Sequence, residues 1–191
     1  MPIKKVPMCP VVTHRFLDDP PDEGGTDPFV VGDMTRGALS NFVRAKVYAR
    51  VCQSPVAPED DDTPASKVVD AHQTFAIDVY WRLRGPLVAA FCGRWDITIY
   101  FESMGPDEYD FEIMTPGDCL IPFGCAESGQ DRNTRIYHAR FTIPTDTVKT
   151  EDPQGTPYEL NVSVVLFAEC DKKPLEIVGS VSLEDIYFFS S

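Results

Sequence analysis

The chain has 191 residues, 43% of them hydrophobic, and a formal net charge of −13 at pH 7. That hydrophobic fraction is enough for a packed core and excludes wholesale disorder. The acidic balance repels phosphate backbones and anionic lipid surfaces, so we expect neither nucleic acid nor a membrane as a partner. The N-terminus lacks the continuous apolar stretch of a secretory signal, and no run is long enough for a membrane helix. We therefore expect a cytoplasmic protein.

Residues 1–40 differ in composition from the rest of the chain. The segment 18–28 is acidic, rich in proline and glycine and without periodicity, so no regular structure is expected there. Ahead of it, prolines interrupt an apolar stretch that can form an edge strand at most. Because this stretch is too apolar for a free tail, we predict an extended arm that lies on its own domain or on a neighbouring subunit. The residues that we assign to this contact are Val6, Met8, Val11, Val12 and Phe16.

Residues 41–191 carry apolar side chains at every second position, segment after segment. A period of two indicates strands with one buried face and one face toward solvent. No segment has a helical period. The predicted strands are 43–51, 74–83, 95–102, 136–143, 158–166 and 177–188, with a further short strand at 109–113 and a possible bulge at Gly179.

Seven to eight such strands, separated by turns rich in glycine, proline and aspartate, predict an all-β fold, an antiparallel β-sandwich. Trp81 in an early strand suits an immunoglobulin-like or fibronectin-like core. Tyr158 begins a late strand, where a tyrosine hydroxyl often bonds to upstream backbone in those folds. A C2-like or jelly-roll-like topology fits the pattern equally well.

The six cysteines are widely and irregularly spaced, and the chain is too large to need cross-links. We therefore expect free, buried thiols that act as small hydrophobic side chains. Cys119 and Cys125 alone are near neighbours and could close a loop under oxidation.

No spacing in the chain matches a known catalytic motif, so we expect a non-enzymatic protein. None of the three histidines has a second histidine at ligand spacing. His138 lies at an outward position of its strand, and we expect it to be a solvated surface histidine.

An acidic loop could bind calcium, which prefers hard oxygen ligands. Adjacent aspartates point in different directions, however, and a solvated loop explains the same residues, so we expect no cofactor. Calcium remains an alternative, with Glu59, Asp60 and Asp62 as the ligands. Tyrosines on outward faces would suit carbohydrate stacking as a related alternative.

The first predicted strand carries a basic stripe of Arg44, Lys46 and Arg50 on an acidic protein. On an edge strand such residues would deter unwanted sheet pairing. Alternatively, they would meet the acidic face of a neighbouring copy. At the other end of the chain, Tyr187 and Phe189 make both faces of the last strand apolar, and a covering partner is expected there.

These features predict a non-enzymatic interaction or assembly protein. Its sandwich body and apolar arm would contact a protein partner or identical copies. The alternative is a ligand-binding module, for calcium or for carbohydrate, that uses the acidic loop and exposed tyrosines.

Overall fold

A computed structural model of the chain describes residues 3–13, 30–33, 42–53, 65–104, 109–123, 132–150, 155–168 and 174–191. Over these residues it consists of β-strands and a single 3₁₀ turn at Val88–Ala90. The strands are β1 (Lys4–Pro7), β2 (Val11–Thr13), β3 (Val30–Asp33), β4 (Arg44–Cys52), β5 (Val68–Asp70), β6 (Phe75–Arg84), β7 (Gly93–Ser103), β8 (Phe111–Met114), β9 (Ile121–Pro122), β10 (Thr134–Ile143), β11 (Thr156–Ala168) and β12 (Pro174–Phe189).

The strands form two sheets. Sheet A has seven strands in the order β1-β8-β7-β11-β12-β5, with β9 also paired to β7. Sheet B has five strands in the order β2-β10-β6-β4-β3. Pairing is antiparallel except for β1 with β8 and β12 with β5. These two sheets confirm the prediction of an all-β chain that folds as a β-sandwich.

The core lies between the sheets and follows the alternation in the sequence. In β7, for example, Trp95, Ile97, Ile99 and Phe101 are fully buried, whereas the residues between them point away from the core. Trp81 of sheet B stacks on Tyr137 with ring centroids 5.0 Å apart and meets Trp95 of sheet A edge-on at 5.7 Å. Edge-on and stacked aromatic contacts of this kind add to the free energy of burial. The two tryptophans thus fasten one sheet to the other.

The last strand contains a bulge, but not at the predicted residue. Gly179 is paired in register with Val164, so the prediction of a bulge there is wrong. The register instead shifts at two other places, between the pairs Val165–Val178 and Phe167–Pro174 and between the pairs Tyr158–Ile186 and Leu160–Leu183. The extra residues include Asp185, whose φ of 59° is the left-handed conformation that aspartate tolerates better than most residues.

Residues 3–13, the described part of the predicted arm, belong to both sheets. β1 pairs with β8 at the edge of sheet A, and β2 pairs with β10 at the edge of sheet B. Val6, Met8 and Val12 are partly buried against the core, whereas Val11 is half exposed. The arm therefore closes one side of the sandwich. Phe16 lies outside the described residues.

A disulfide joins Cys9, between β1 and β2, to Cys119, which follows β8. Their Cα atoms are 5.4 Å apart, within the normal range for a disulfide. The expectation of free thiols is therefore wrong for this pair, because the fold brings together two cysteines 110 positions apart in the sequence. Cys52 is a buried free thiol and Cys92 an exposed one, while Cys125 and Cys170 lie outside the described residues.

Tyr158, near the start of β11, bonds to the segment that directly follows β10. Its hydroxyl donates a 2.8 Å hydrogen bond to the backbone carbonyl of Lys149 while its ring is buried in the core. The sequence predicted a bond of this type from the position of Tyr158 near the start of its strand.

Gly85, directly after β6, gives a test of this packing. Its φ is 149°, and a Cβ there would collide with the backbone carbonyl of Phe42. We expect Gly85→Ala to lower the free energy of unfolding by about 2 kcal/mol or more, because an L side chain strains the backbone and the neighbouring strand must move. Urea unfolding measures the change.

Gly117→Ala is the matched control, because a Cβ at Gly117 has no heavy atom within 4 Å. Equal stability of the two alanine variants would contradict the close approach of the backbone at Gly85.

Candidate functional site

The outward face of sheet B carries a concentration of positive charge. The outward positions of β4, β6 and β10 pair across the strands in successive rows, such as Arg44 with Arg84 and Arg50 with Asp78. Among these described positions Asp78 is the one acid, in a chain whose net charge is −13. The cations at these positions are Arg44, Lys46, Arg50, Arg82, Arg84 and Arg140.

Asp78, in the middle of the central strand β6, lies at the centre of a buried polar cluster on this face. Its carboxylate is fully buried and accepts hydrogen bonds from both neighbouring strands. Arg140 donates from Nε at 2.7 Å and from a terminal nitrogen at 2.8 Å, an arrangement that engages both carboxylate oxygens. Arg50 donates from Nε at 3.1 Å. Ion pairs of this fork geometry are among the stronger polar contacts in proteins.

His138 completes this cluster. Its Nε2 lies 2.9 Å from Oδ1 of Asp78, and its ring stacks on Tyr80 with centroids 4.1 Å apart. The side chain is buried, so the expectation of a solvated surface histidine is wrong. The strand register put His138 outward, as predicted, but the outward face at this point is not open to water.

The cluster changes the ionisation of two groups. Burial alone would raise the pKa of Asp78, but hydrogen bonds and electrostatic interactions with His138 and Arg140 hold that pKa well below its usual range. Burial, followed by the charge of Asp78, raises the pKa of the Cys52 thiol to about 11. Asp78 is therefore a permanent anion at neutral pH, and Cys52 stays protonated and unreactive.

The accessible part of the basic face lies at the end of β6. Arg44 and Arg84 are exposed and stand directly opposite each other, and Lys46 and Arg82 form the next cross-strand pair, half-buried. Arg44 and Arg84 are then the cations that most directly face solvent, and we call them the arginine pair.

Two sequence expectations about this stripe are corrected by the fold. β4 lies between β6 and β3, and β3 pairs with Lys46–Ala49, so protection of a sheet edge does not explain the basic residue Lys46. Arg50 is buried against Asp78 and is not part of an exposed surface. Arg44 remains exposed and Lys46 half-buried.

The two aromatic residues predicted as contacts in the C-terminal strand, Tyr187 and Phe189, differ in their exposure to solvent. Tyr187 is 46% exposed on the outward face of sheet A, next to the exposed Val68 of β5. Phe189 is partly buried. Among the tyrosines at outward strand positions, Tyr48 and Tyr80 are buried and are therefore not available on the surface for carbohydrate stacking.

The calcium alternative rests on three acidic residues. Glu59, Asp60 and Asp62 lie outside the described residues. Within the part of the chain that the structure describes, no group of three or more His, Cys, Asp or Glu side chains is arranged to hold a metal ion.

A second polar site is a shallow cleft of about 280 Å³. Nδ1 of His72 is 2.5 Å from Oδ1 of Asp146 in this cleft, and the ammonium group of Lys149 lies 5.0 Å from the ring centroid of Tyr109. The hydroxyls of Thr150 and Ser190 bond to each other on its wall. Half or more of the His72 and Asp146 side-chain surfaces remain exposed, so water competes for these groups.

Asp78 was not predicted from the sequence as a functional or structural site, although the sequence contains a signal for it. Asp78, Arg50, His138 and Arg140 all occupy outward positions near the middle of long strands, where isolated charges are unusual. Pairing of β6 with both β4 and β10 brings those positions into one row. Strand order, which alternation does not contain, was the missing information.

Comparison with known proteins gives no further assignment. No protein-family model, curated protein or solved structure matches this chain. Among the described residues, no helix is long and apolar enough to cross a membrane.

The role of Asp78 can be tested by Asp78→Asn, which removes the charge and keeps the shape. Two buried guanidinium groups would then lack a counter-charge, so we expect unfolding to become easier by about 3–5 kcal/mol. Asp96→Asn is the matched control, because burial raises the pKa of Asp96 and loss of its charge should cost little. Urea denaturation of both variants checks this difference.

The contribution of Asp78 to the stability of the protein should be lost at acid pH. Because the pKa of folded Asp78 lies below its unfolded value, its stabilising contribution is complete above about pH 4 and disappears as the pH falls further. The wild-type protein should thus lose stability below about pH 4 more steeply than Asp78→Asn. Parallel curves for the two proteins would show that Asp78 is not held as an anion by the fold.

Proposed function

We propose that this protein is a non-enzymatic interaction or assembly protein whose sandwich body contacts a protein partner or identical copies. The observation that supports this most directly is the arginine pair. Two exposed arginines directly opposite each other on neighbouring strands repel one another and destabilise the sheet. Arg84 is paired on both sides, with Arg44 of β4 and Thr134 of β10, so edge protection does not explain it. A pair that costs stability in this position is best explained by the binding of an acidic surface.

The partner that suits this site is an acidic protein surface. Guanidinium groups bind carboxylates in a planar, two-pronged geometry, and a concentration of positive charge steers an acidic partner toward the correct face. The acidic remainder of this chain would repel such a partner elsewhere, so the basic face also sets the orientation of docking.

The arm has a supporting role in this proposal. Its strands complete both sheets, and Ile3, directly before β1, and Val11 of β2 are about half exposed. These residues would contact a partner that reaches the side of the sandwich. The Tyr158 bond supports an immunoglobulin-like or fibronectin-like arrangement as the finer fold proposal, over a C2-like or jelly-roll-like one.

The proposed location is the cytoplasm. One observation opposes it, because disulfides such as Cys9–Cys119 are typical of oxidising compartments.

The proposal is tested by Arg44→Glu/Arg84→Glu in a tagged protein isolated from its native cells. We expect retention of the acidic partner proteins that bind the wild type to fall at least about tenfold for this variant, because both contacts become repulsive. Quantitative mass spectrometry measures the retention.

The matched control is Lys4→Glu/Lys67→Glu, which changes the charge equally at exposed positions of sheet A. Equal retention by all three proteins would rule out the basic face as the binding site.

A second candidate function is a ligand-binding module, which the cleft around His72 favours. Its hydroxyl, carboxylate and imidazole groups could bind the hydroxyls of a sugar. If so, calorimetric titration with common monosaccharides should show heat that His72→Ala removes. No heat with wild-type protein, for sugars or for calcium, would dismiss this candidate.

A further inference from the structure

We propose that copies of this chain associate head to tail, with the arginine pair of one copy docked on Glu102 and Glu159 of the next. This inference rests on the proposed function and names the partner of the same basic face. We call Glu102 and Glu159 the glutamate pair.

The glutamate pair mirrors the arginine pair on the opposite face of the sandwich. Glu102 of β7 and Glu159 of β11 are direct cross-strand partners. Both occupy outward positions of sheet A, where Glu102 is exposed and Glu159 half-buried. Ser182 donates to Glu159 at 2.6 Å and Asn161 donates at 3.2 Å, so this carboxylate is held in place on the surface. Like charges directly opposite each other again reduce the stability of the sheet.

Further acidic residues lie on the face that carries the glutamate pair. Glu112 of β8 pairs with Tyr100, two residues from Glu102, and Asp96 lies on the same face nearer the start of β7. The cations of this face are at its margins: Lys5 pairs with Glu112 at 3.4 Å, and Arg94 lies at the start of β7. The two faces of the sandwich therefore have opposite sign.

The two pairs are also at opposite ends of the molecule. Arg84 ends β6, and the short connection to β7 begins there, so Arg84 and Gly93 lie at one end. Glu102 lies at the far end of β7. In a two-fold symmetric dimer, the arginine pair and the glutamate pair of one copy would both have to face the same partner. Pairs on opposite faces and at opposite ends of the molecule cannot do so. They produce a head-to-tail contact, which continues from copy to copy unless a ring closes.

Analytical ultracentrifugation of the purified, full-length protein tests this inference. In about 0.01 M salt, where charges act over about 30 Å, we expect the average mass of the wild type to rise with protein concentration. In about 1 M salt the range falls to about 3 Å, and the protein should be monomeric. Arg44→Glu/Arg84→Glu and Glu102→Lys/Glu159→Lys should each remain monomeric in both buffers, while Lys4→Glu/Lys67→Glu should behave as wild type.

The decisive step is to mix the two charge-reversed variants in low salt. One variant retains the glutamate pair and the other retains the arginine pair, so the mixture should form complexes that neither protein forms alone. If the glutamate double variant does not fold, as judged by circular dichroism, Glu102→Lys alone replaces it.

A monomeric wild type in low salt would overturn the inference, and so would a mixture that stays monomeric. Neither result would remove the proposed function. If native partners still depend on the arginine pair while the purified chain does not self-associate, the basic face binds a different acidic protein. If neither experiment depends on the arginine pair, both proposals fail.

Discussion

The buried carboxylate of Asp78 is the interaction on which sheet B depends. It receives hydrogen bonds from Arg50 on one neighbouring strand and from His138 and Arg140 on the other, and so links the three long strands of the sheet. Without it, the outward positions of these strands would place buried cations side by side. A buried ion pair is seldom a net gain over apolar packing, but it is costly to break. Its value lies in fixing one register for β4, β6 and β10.

This anchoring explains how the sheet tolerates further positive charge at its end. Register is set by the Asp78 cluster and by the core aromatics, so the exposed arginine pair can carry an unfavourable cross-strand contact without letting the strands slip. The same logic applies to sheet A, where β7, β11 and β12 are long and the glutamate pair lies on their outward face. The result is a sandwich with faces of opposite sign, which is a suitable unit for directed association.

The edges of the sheets suggest that contacts use faces more than strand addition. Over the described residues, the strands at the four edges, β1, β2, β3 and β5, are three or four residues long. Short edges offer few backbone groups to a foreign strand. The disulfide between Cys9 and Cys119 holds the segment that joins β1 and β2, so two of these edges are covalently restrained.

The sequence by itself determined the fold class and the inside and outside of each long strand, because alternation is a local property of the backbone. Trp81 was placed in the core, and Tyr158 in its backbone hydrogen bond, from sequence position alone. Only the tertiary structure decided which strands are neighbours. Strand order brought Cys9 to Cys119, buried His138 and Arg50 against Asp78, and made β4 an internal strand. Those outcomes depend on contacts between residues far apart in the chain, which a pattern of period two does not encode.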